Sequence, residues 1–377
     1  MRIGILLPTN VYFAPYSRVY TDIFDQHGIS YDILYFDKRN LNESAAYRFA
    51  ANVSSTDGNL KRFWGYWRYA RFLAKAIKRE GYDRLIVCGP QIAIFLYPFL
   101  KKHYAGKFIL DYRDLSIEQR FVKRYRKLLA ISAYNMISSP GFKRCLPEAN
   151  YILSHNVSID LLRKACSNNR TDRNNRINQI NQNNQNNQIN QTTQINPTNP
   201  VFTVLTIGGI RDYEQNAAVM MALANRPEFE TAYIGRGEEG ADVKLRQLAE
   251  REHVENVHFE GFYKKEDEPG IIQKSTFLNI FYPRKLSHDT ALSNRFYSSL
   301  LFRKPMITTA DTIQGDYASN YGVGIAISDA DHLAERLRQY IDDFDEATYE
   351  RNRHQLLQSF LKDYEEFEKA VMMLCTT

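Results

Sequence analysis

Cysteine is scarce in this chain: Cys88, Cys145, Cys166 and Cys375 are the four among 377 residues, and none stands in a Cys-x-x-Cys pair. That scatter suggests neither a zinc site nor a disulfide framework, so a reducing compartment is expected. Long apolar runs are also lacking. The most apolar stretch, residues 85–100 (LIVCGPQIAIFLYPFL), is broken by Gly89, Pro90 and Pro98. It falls short of the roughly 20 residues that a membrane span requires. It reads as a buried strand over 85–88, a turn, and a packed helix over 92–100. The opening MRIGILLPTN has too short an apolar run for a secretory signal and is expected to be the first strand of a cytoplasmic chain. Residues 167–200 lack core-forming side chains almost entirely, being low-complexity Asn and Gln. Such a segment cannot offset its ordering entropy and is expected to be a disordered linker with no catalytic role.

What is present suffices for two domains. The chain is 44% apolar, and its length exceeds what one core ordinarily serves. Charge divides it. Residues 1–167 hold 26 Lys+Arg against 13 Asp+Glu, whereas residues 201–377 hold 20 against 29. A basic half beside an acidic one points to different partners. The basic half could face anionic lipid, nucleic acid or a diphosphate-bearing acceptor.

Strand and helix patterns alternate in the first half: strands over 3–7, 31–35, 107–110, 135–138 and 151–154, and a first helix around 18–27. Residues 38–60 read as polar and irregular. The segment LKRFWGYWRYARFLAKAIKREGY, residues 60–82, is a helix in which Phe63, Trp64, Tyr66, Trp67, Tyr69 and Phe72 interleave with seven cations. Two readings fit it. The rings and cations suit an anionic membrane surface, or the rings pack on the sheet while the cations are solvated. A second basic cluster, Arg120, Lys123, Arg124, Arg126 and Lys127, adds to the first reading. Asp111 and Asp114 follow the expected strand 107–110, where α/β enzymes keep reacting groups. Alternatively, Asp114 or Ser116 caps the next helix.

The second half is arranged around residues 203–237. An apolar run leads into Gly208-Gly209, a helical pattern follows, and a second strand over 231–234 enters Gly235-Arg236-Gly237. Glycines at successive strand ends would lie side by side at a sheet edge, with helix N-terminal amides free for a phosphate and Arg211 adding charge. Glycines are also what any strand-to-helix turn needs. Further helices are expected over 242–252, 266–274, 293–302, 331–342 and 348–374. Strands are expected over 256–259, 276–281 and 306–309, with a loop over 282–292.

Several of these motifs, in this order, resemble the retaining nucleotide-sugar glycosyltransferases of family 4, of the kind found in bacterial capsule and exopolysaccharide synthesis. TIGGIRDYEQN is similar to the glycine-bearing first turn of their donor domain. TAYIGRGEE resembles their Gly-x-Gly strand end, VHFEGFYKKED the strand before the nucleotide base, SNRFYSSLLFRKPMITT a donor-site helix, and ILSHNVSID the turn that opens the donor half. The resemblance implies an α/β GT-B fold, with two Rossmann-like domains facing each other across a cleft. It implies an acceptor-side domain over 1–150, with a C-terminal helix over about 355–377 packing back on it. The donor domain would comprise 151–166 and 201–354.

The resemblance also implies roles. Gly208, Gly209, Arg211, Gly235 and Gly237 would face a diphosphate, Phe262 and Tyr263 the base, and Arg295, with Asn294 beside it, would supply a cation. Two glutamates eight positions apart hold sugar and ribose in the family. Thr290 and Ser298 stand there instead, with Asp289 able to replace the first. The family's basic residue after the glycine turn is missing too, Glu214 and Gln215 occupying that neighbourhood. Asp111 and Asp114 would orient the acceptor hydroxyl. Arg211 and Arg295 would stabilise the leaving diphosphate, so neither a metal nor another cofactor is required. The expected partners are a UDP- or GDP-sugar, a lipid-linked or other surface-polysaccharide acceptor and an anionic membrane surface, with no nucleic acid. The missing glutamates leave open a non-catalytic relative that binds a nucleotide or a partner enzyme.

Overall fold

Apolar strands alternating with amphipathic helices are laid down twice along the chain, and each series forms its own parallel sheet. The computed structural model describes residues 1–45, 47–53, 57–115, 121–167 and 201–376. One compact unit comprises Met1–Ile159 with Phe360–Thr377, the other Asp160–Ser359.

The amino-terminal unit contains β1 (Arg2–Leu7), α1 (Arg18–Gln26), β2 (Ser30–Asp37), β3 (Tyr47–Ala50), α2 (Asn59–Glu80), β4 (Arg84–Cys88), α3 (Pro90–His103), β5 (Phe108–Tyr112), α4 (Val122–Ile131), β6 (Tyr134–Ile137) and β7 (Tyr151–Leu153). Its strands lie in the order β3-β2-β1-β4-β5-β6-β7, every pair parallel.

Helix α5 (Ile159–Ser167) leads into the second series: β8 (Phe202–Ile210), α6 (Tyr213–Ala222), β9 (Phe229–Gly237), α7 (Ala241–Arg251), β10 (Val257–Glu260), α8 (Glu268–Gln273), β11 (Phe277–Ile280), α9 (Leu286–Thr290), α10 (Asn294–Leu301), β12 (Met306–Thr309), α11 (Ile313–Tyr321), β13 (Gly324–Ile327), α12 (Leu333–Asp342) and α13 (Glu346–Thr376). This sheet runs β10-β9-β8-β11-β12-β13, again all parallel. In each sheet the order reverses beside its first strand, which is where doubly wound sheets take ligands at their carboxyl ends.

Period-two alternation builds the cores. In β1, Ile3, Ile5 and Leu7 point to the face covered by Tyr20, Ile23 and Phe24 of α1 and by Phe367, Val371 and Leu374 of α13. Each of those fully buried side chains contributes about 1.5–3 kcal/mol. On the other face, Tyr69 of α2 packs on Phe36 and donates its hydroxyl to the carbonyls of Leu7 and Leu34. In the second sheet, Val204 packs with Val219, Phe277 and Leu337, while Leu205 and Ile207 pack with Ile234, Ile272 and Leu278 on the opposite face.

Several expectations shift. Residues 38–60, read as irregular, contain the short edge strand β3, whose four residues are too few to register as a pattern. Strand β5 continues to Tyr112, so Asp111 lies within it rather than past its end. Strands β8 and β9 run through their glycines to Ile210 and Gly237, so Gly208-Gly209 is strand, not turn. The loop expected over 282–292 includes α9, and α11 and β13 occupy a stretch that pattern reading left unassigned. Of the Asn/Gln segment, Ser167 ends α5 and the rest lies outside the described residues, as do Ser116 and Arg120.

Candidate functional site

At the carboxyl edge of the second sheet, β8 and β9 stay paired along their whole length, with Gly208 opposite Gly235, Gly209 opposite Arg236 and Ile210 opposite Gly237. Both Gly208 and Gly235 have positive φ, 92° and 139°. A Cβ on Gly235 would lie 2.0 Å from the Gly208 carbonyl oxygen, so close backbone approach fixes glycine there. Gly237 and Gly209 lie under carboxylates. A Cβ on either would strike Asp242 or Glu238 respectively.

On its other side β8 behaves differently. Its pairing with β11 covers only Val204 and Leu205. Beyond that point the two strands part, and backbone carbonyls that a longer ladder would satisfy need another donor. Arg295 of α10 supplies it. Its guanidinium donates from Nε to the Ile207 carbonyl at 2.6 Å, from Nη2 to the Gly209 carbonyl at 2.8 Å and from Nη1 to the Asn279 carbonyl at 3.3 Å. The side chain is buried, and among the described residues no carboxylate pairs with it.

Tyr282, just past β11, forms a platform that sequence reasoning missed. The Arg295 guanidinium carbon lies 5.7 Å from its ring centroid and that of Arg211 lies 6.0 Å away. Thr309 fixes the Tyr282 backbone by donating its hydroxyl to that carbonyl and accepting from that amide. The visible signal was an aromatic residue at a strand end, which is too common to single out.

A buried amide network holds the turn between β8 and α6. Asn279 of β11 donates to the Thr206 hydroxyl and to Asn216 Oδ1, and Asn216 donates in turn to the carbonyls of Arg211 and Asp212. Asn279 was legible as a polar residue inside the apolar run FLNIF, though its role was not. Asp212 stands at the N-cap of α6 in the left-handed region and makes no side-chain cap. The first-turn amides of α6 have no intrahelical acceptor. Asp212 instead meets Lys285 at 3.3 Å and Arg211 at 3.6 Å.

The remaining expected residues distribute unevenly. Arg211 is exposed. Tyr263 adjoins the glycine pair, its hydroxyl 3.9 Å from where a Gly208 Cβ would stand. That hydroxyl donates to Glu268 at 2.7 Å, and burial together with this carboxylate raises its pKa. Phe262 is exposed. Asp289, expected to replace a sugar-binding glutamate, is held by Arg284 at 2.9 Å. Thr290 is buried with its hydroxyl on the Leu286 carbonyl, Ser298 is half-buried within α10, and Asn294 is exposed at that helix's start.

Asp111, in the amino-terminal unit, requires correction. Its carboxylate is fully buried and accepts from the Tyr20 hydroxyl at 2.9 Å and from Arg113 at 2.7 Å and 2.9 Å, while Arg113 also donates to Ser154. Enclosed within its strand, it is the counter-ion of Arg113 rather than a group open to an acceptor. Asp114 does lie past the strand end and is exposed.

No family model and no curated protein matches the chain. Solved structures do. A glycosyltransferase from Rickettsia africae aligns over 100% of this chain and 99% of its own, at TM-score 0.65 and 11% identity. The sucrose-phosphate synthase of Thermosynechococcus elongatus aligns over 99% of each chain, at TM-score 0.67 and 11% identity. The fold is GT-B. It is not tied to one reaction, because a UDP-GlcNAc 2-epimerase of Neisseria meningitidis, solved with UDP-GlcNAc bound, aligns over 96% of this chain and 100% of its own at TM-score 0.55 and 13% identity.

Proposed function

We propose that the carboxyl-terminal unit binds a nucleoside-diphosphate sugar, UDP- or GDP-linked, and that the chain is a retaining glycosyltransferase delivering that sugar to a lipid-linked or other surface-polysaccharide acceptor at the inner face of the cell membrane. The observation that carries this reading is the buried Arg295 guanidinium, set on carbonyls of β8 and β11 where the strand order reverses and lacking a carboxylate among the described residues. A buried cation without a counter-ion is costly, and an anionic ligand offsets that cost. Three of a guanidinium's five N–H groups are used here, which leaves two for an anion.

The chemistry follows from charge placement. As the glycosidic bond to the diphosphate breaks, negative charge grows on the leaving oxygen. Arg295 and the first-turn amides of α6 are donors fixed before the reaction, so little reorganisation is needed, and the exposed Arg211 adds a cation beside them. The glycines at 208 and 235 keep the strand ends free of side chains beside these donors. Tyr263 and Phe262 are the aromatic surfaces on which a base would lie. In the amino-terminal unit, Asp114 is the exposed carboxylate proposed to orient the acceptor hydroxyl.

Thermal-shift and calorimetric titration of the full chain with UDP, GDP and a panel of their sugars tests the donor site. Stabilisation by one nucleotide class is expected, and no response to any of them refutes the proposal. Product analysis then separates transfer from 2-epimerisation. Binding with no turnover would instead favour a nucleotide-binding subunit, a reading motivated by Thr290 and Ser298 in place of carboxylates and by the engagement of Asp289 with Arg284.

A further inference from the structure

Helix α2 has one more apolar stripe than its fold requires. Gly65, Tyr69, Leu73 and Ala76 form the buried stripe against the sheet. On the opposite side of the helix, the spacing i, i+4, i+7, i+11, i+15 places Leu60, Trp64, Trp67, Arg71 and Lys75 in line. The first part of this second stripe is apolar and open. Leu60 is 77% exposed, Trp64 54% and Phe63, alongside them, 45%. The rest is cationic, and over its length α2 carries seven Lys and Arg against the single carboxylate Glu80.

The rings form one packed group. Trp64 and Trp67 meet edge to face at 5.2 Å, Phe63 packs on Phe95 of α3 at 5.2 Å, and the Arg71 guanidinium lies 4.7 Å from the Trp67 centroid. Crossover helices return antiparallel to the strands, so the start of α2 lies at the carboxyl edge of its sheet. The loop after β1 emerges at the same edge, with Tyr12 73% exposed and Phe13 beneath the Arg39 guanidinium at 4.6 Å. That loop is anchored. Glu43 accepts from the amides of Val11 and Tyr12 and from the Asn10 side chain, and Asp37 holds Asn10 from the other side.

We infer that this edge docks on an anionic lipid bilayer, with Leu60, Phe63, Trp64, Tyr12 and Phe13 entering the headgroup layer and Arg68, Arg71 and Lys75 meeting lipid phosphates. Charge selects this occupant. Tryptophan and aliphatic side chains flanked by cations match the apolar boundary and negative surface of such a membrane, whereas a second copy meeting it through the same face would set cation against cation. The inference rests on the proposal that the acceptor is lipid-linked, and it names the face that meets the lipid.

Trp64 and Trp67 are the two tryptophans of the chain, so intrinsic emission reports on this stripe and nowhere else. Titrating the full chain with phosphatidylcholine–phosphatidylglycerol vesicles is expected to shift emission to the blue and to carry the protein into the vesicle pellet, while phosphatidylcholine alone does neither. Trp64→Ser, at an exposed position, is expected to lower partitioning about tenfold with an unchanged melting temperature, and Trp64→Phe to restore most of it. Arg71→Glu/Lys75→Glu is expected to abolish the preference for the anionic lipid. The inference is overturned if wild type ignores anionic vesicles, if Trp64→Ser binds them as well as wild type, or if the blue shift arises without lipid as the chain self-associates or on adding RNA. Nucleotide titration without vesicles is independent. Nucleotide binding with no vesicle binding rejects the docking edge alone, and vesicle binding with no nucleotide binding rejects the donor site alone.

Discussion

Arg295→Met removes three hydrogen bonds at the strand reversal while keeping most of the buried stem. The lost partners are the carbonyls of Ile207, Gly209 and Asn279, at 2.6, 2.8 and 3.3 Å. A hydrogen bond to a charged group is worth about 1.5–3 kcal/mol, and carbonyls left buried without a donor add to the loss. Removing a buried charge that lacks a counter-ion works the other way. We therefore expect a net cost of about 2–4 kcal/mol, which for a unit of this size is a fall in melting temperature of roughly 5–12 °C. Arg295→Lys keeps the charge but not the planar fork, and should fall between the two. Differential scanning calorimetry of the full chain measures the fall, and titration with UDP and GDP below the transition measures affinity. Stability and affinity should drop together, because the same guanidinium supports the strands and faces the anion. A melting temperature within about 1 °C of wild type would refute the latch argument, since carbonyls that water satisfies equally well give Arg295 no structural role.

Three further outcomes are expected. Gly235→Ala sets a Cβ 2.0 Å from the Gly208 carbonyl oxygen at a φ of 139°, so poor soluble expression or loss of the cooperative transition should follow, and normal melting would show that the strands can separate without cost. Arg353, fully buried, donates to the Leu300 carbonyl at 2.9 Å and to Glu350 at 2.8 Å. Arg353→Leu should lower stability by about 2–4 kcal/mol in urea titration, and Arg353→Leu with Glu350→Leu should recover part of that loss. Burial pushes the Asp37 carboxyl up, but hydrogen bonds from Asn10, Asn42, Arg48 and Leu41 outweigh it and hold the pKa at about 2. A folded pKa below the unfolded one stabilises the chain above the unfolded value, and that stability is lost as pH falls from about 4 towards 2. Asp37→Asn should flatten the dependence in this window, as followed by melting temperature against pH.

The sequence by itself determined most of the strands and helices, though not β3, α9, α11 or β13, and that they form two α/β series. Those features depend on local periodicity and on glycines beside apolar runs, and both Gly-bearing strand ends were found in this way. The glycines' actual setting was not legible. Whether Gly208 ends a strand or lies within one depends on β9 continuing beside it, and pairing between segments leaves no local mark. Tertiary structure also decided which charges are buried and which are exposed. Asp111 and Asp114 look equivalent in Asp-Tyr-Arg-Asp, yet the first is enclosed by Tyr20 and Arg113 from distant or alternate positions while the second is exposed. Arg295 was legible as a cation near the site, but its hold on β8 and β11 appears only when residues 86 and 88 positions apart come together. Helix α2 follows the same division: sequence supplied a ring of aromatics and cations, and burial of one stripe against the sheet selected the other for solvent. Periodicity is a property of neighbours along the chain, whereas burial, pairing and charge compensation belong to neighbours in space.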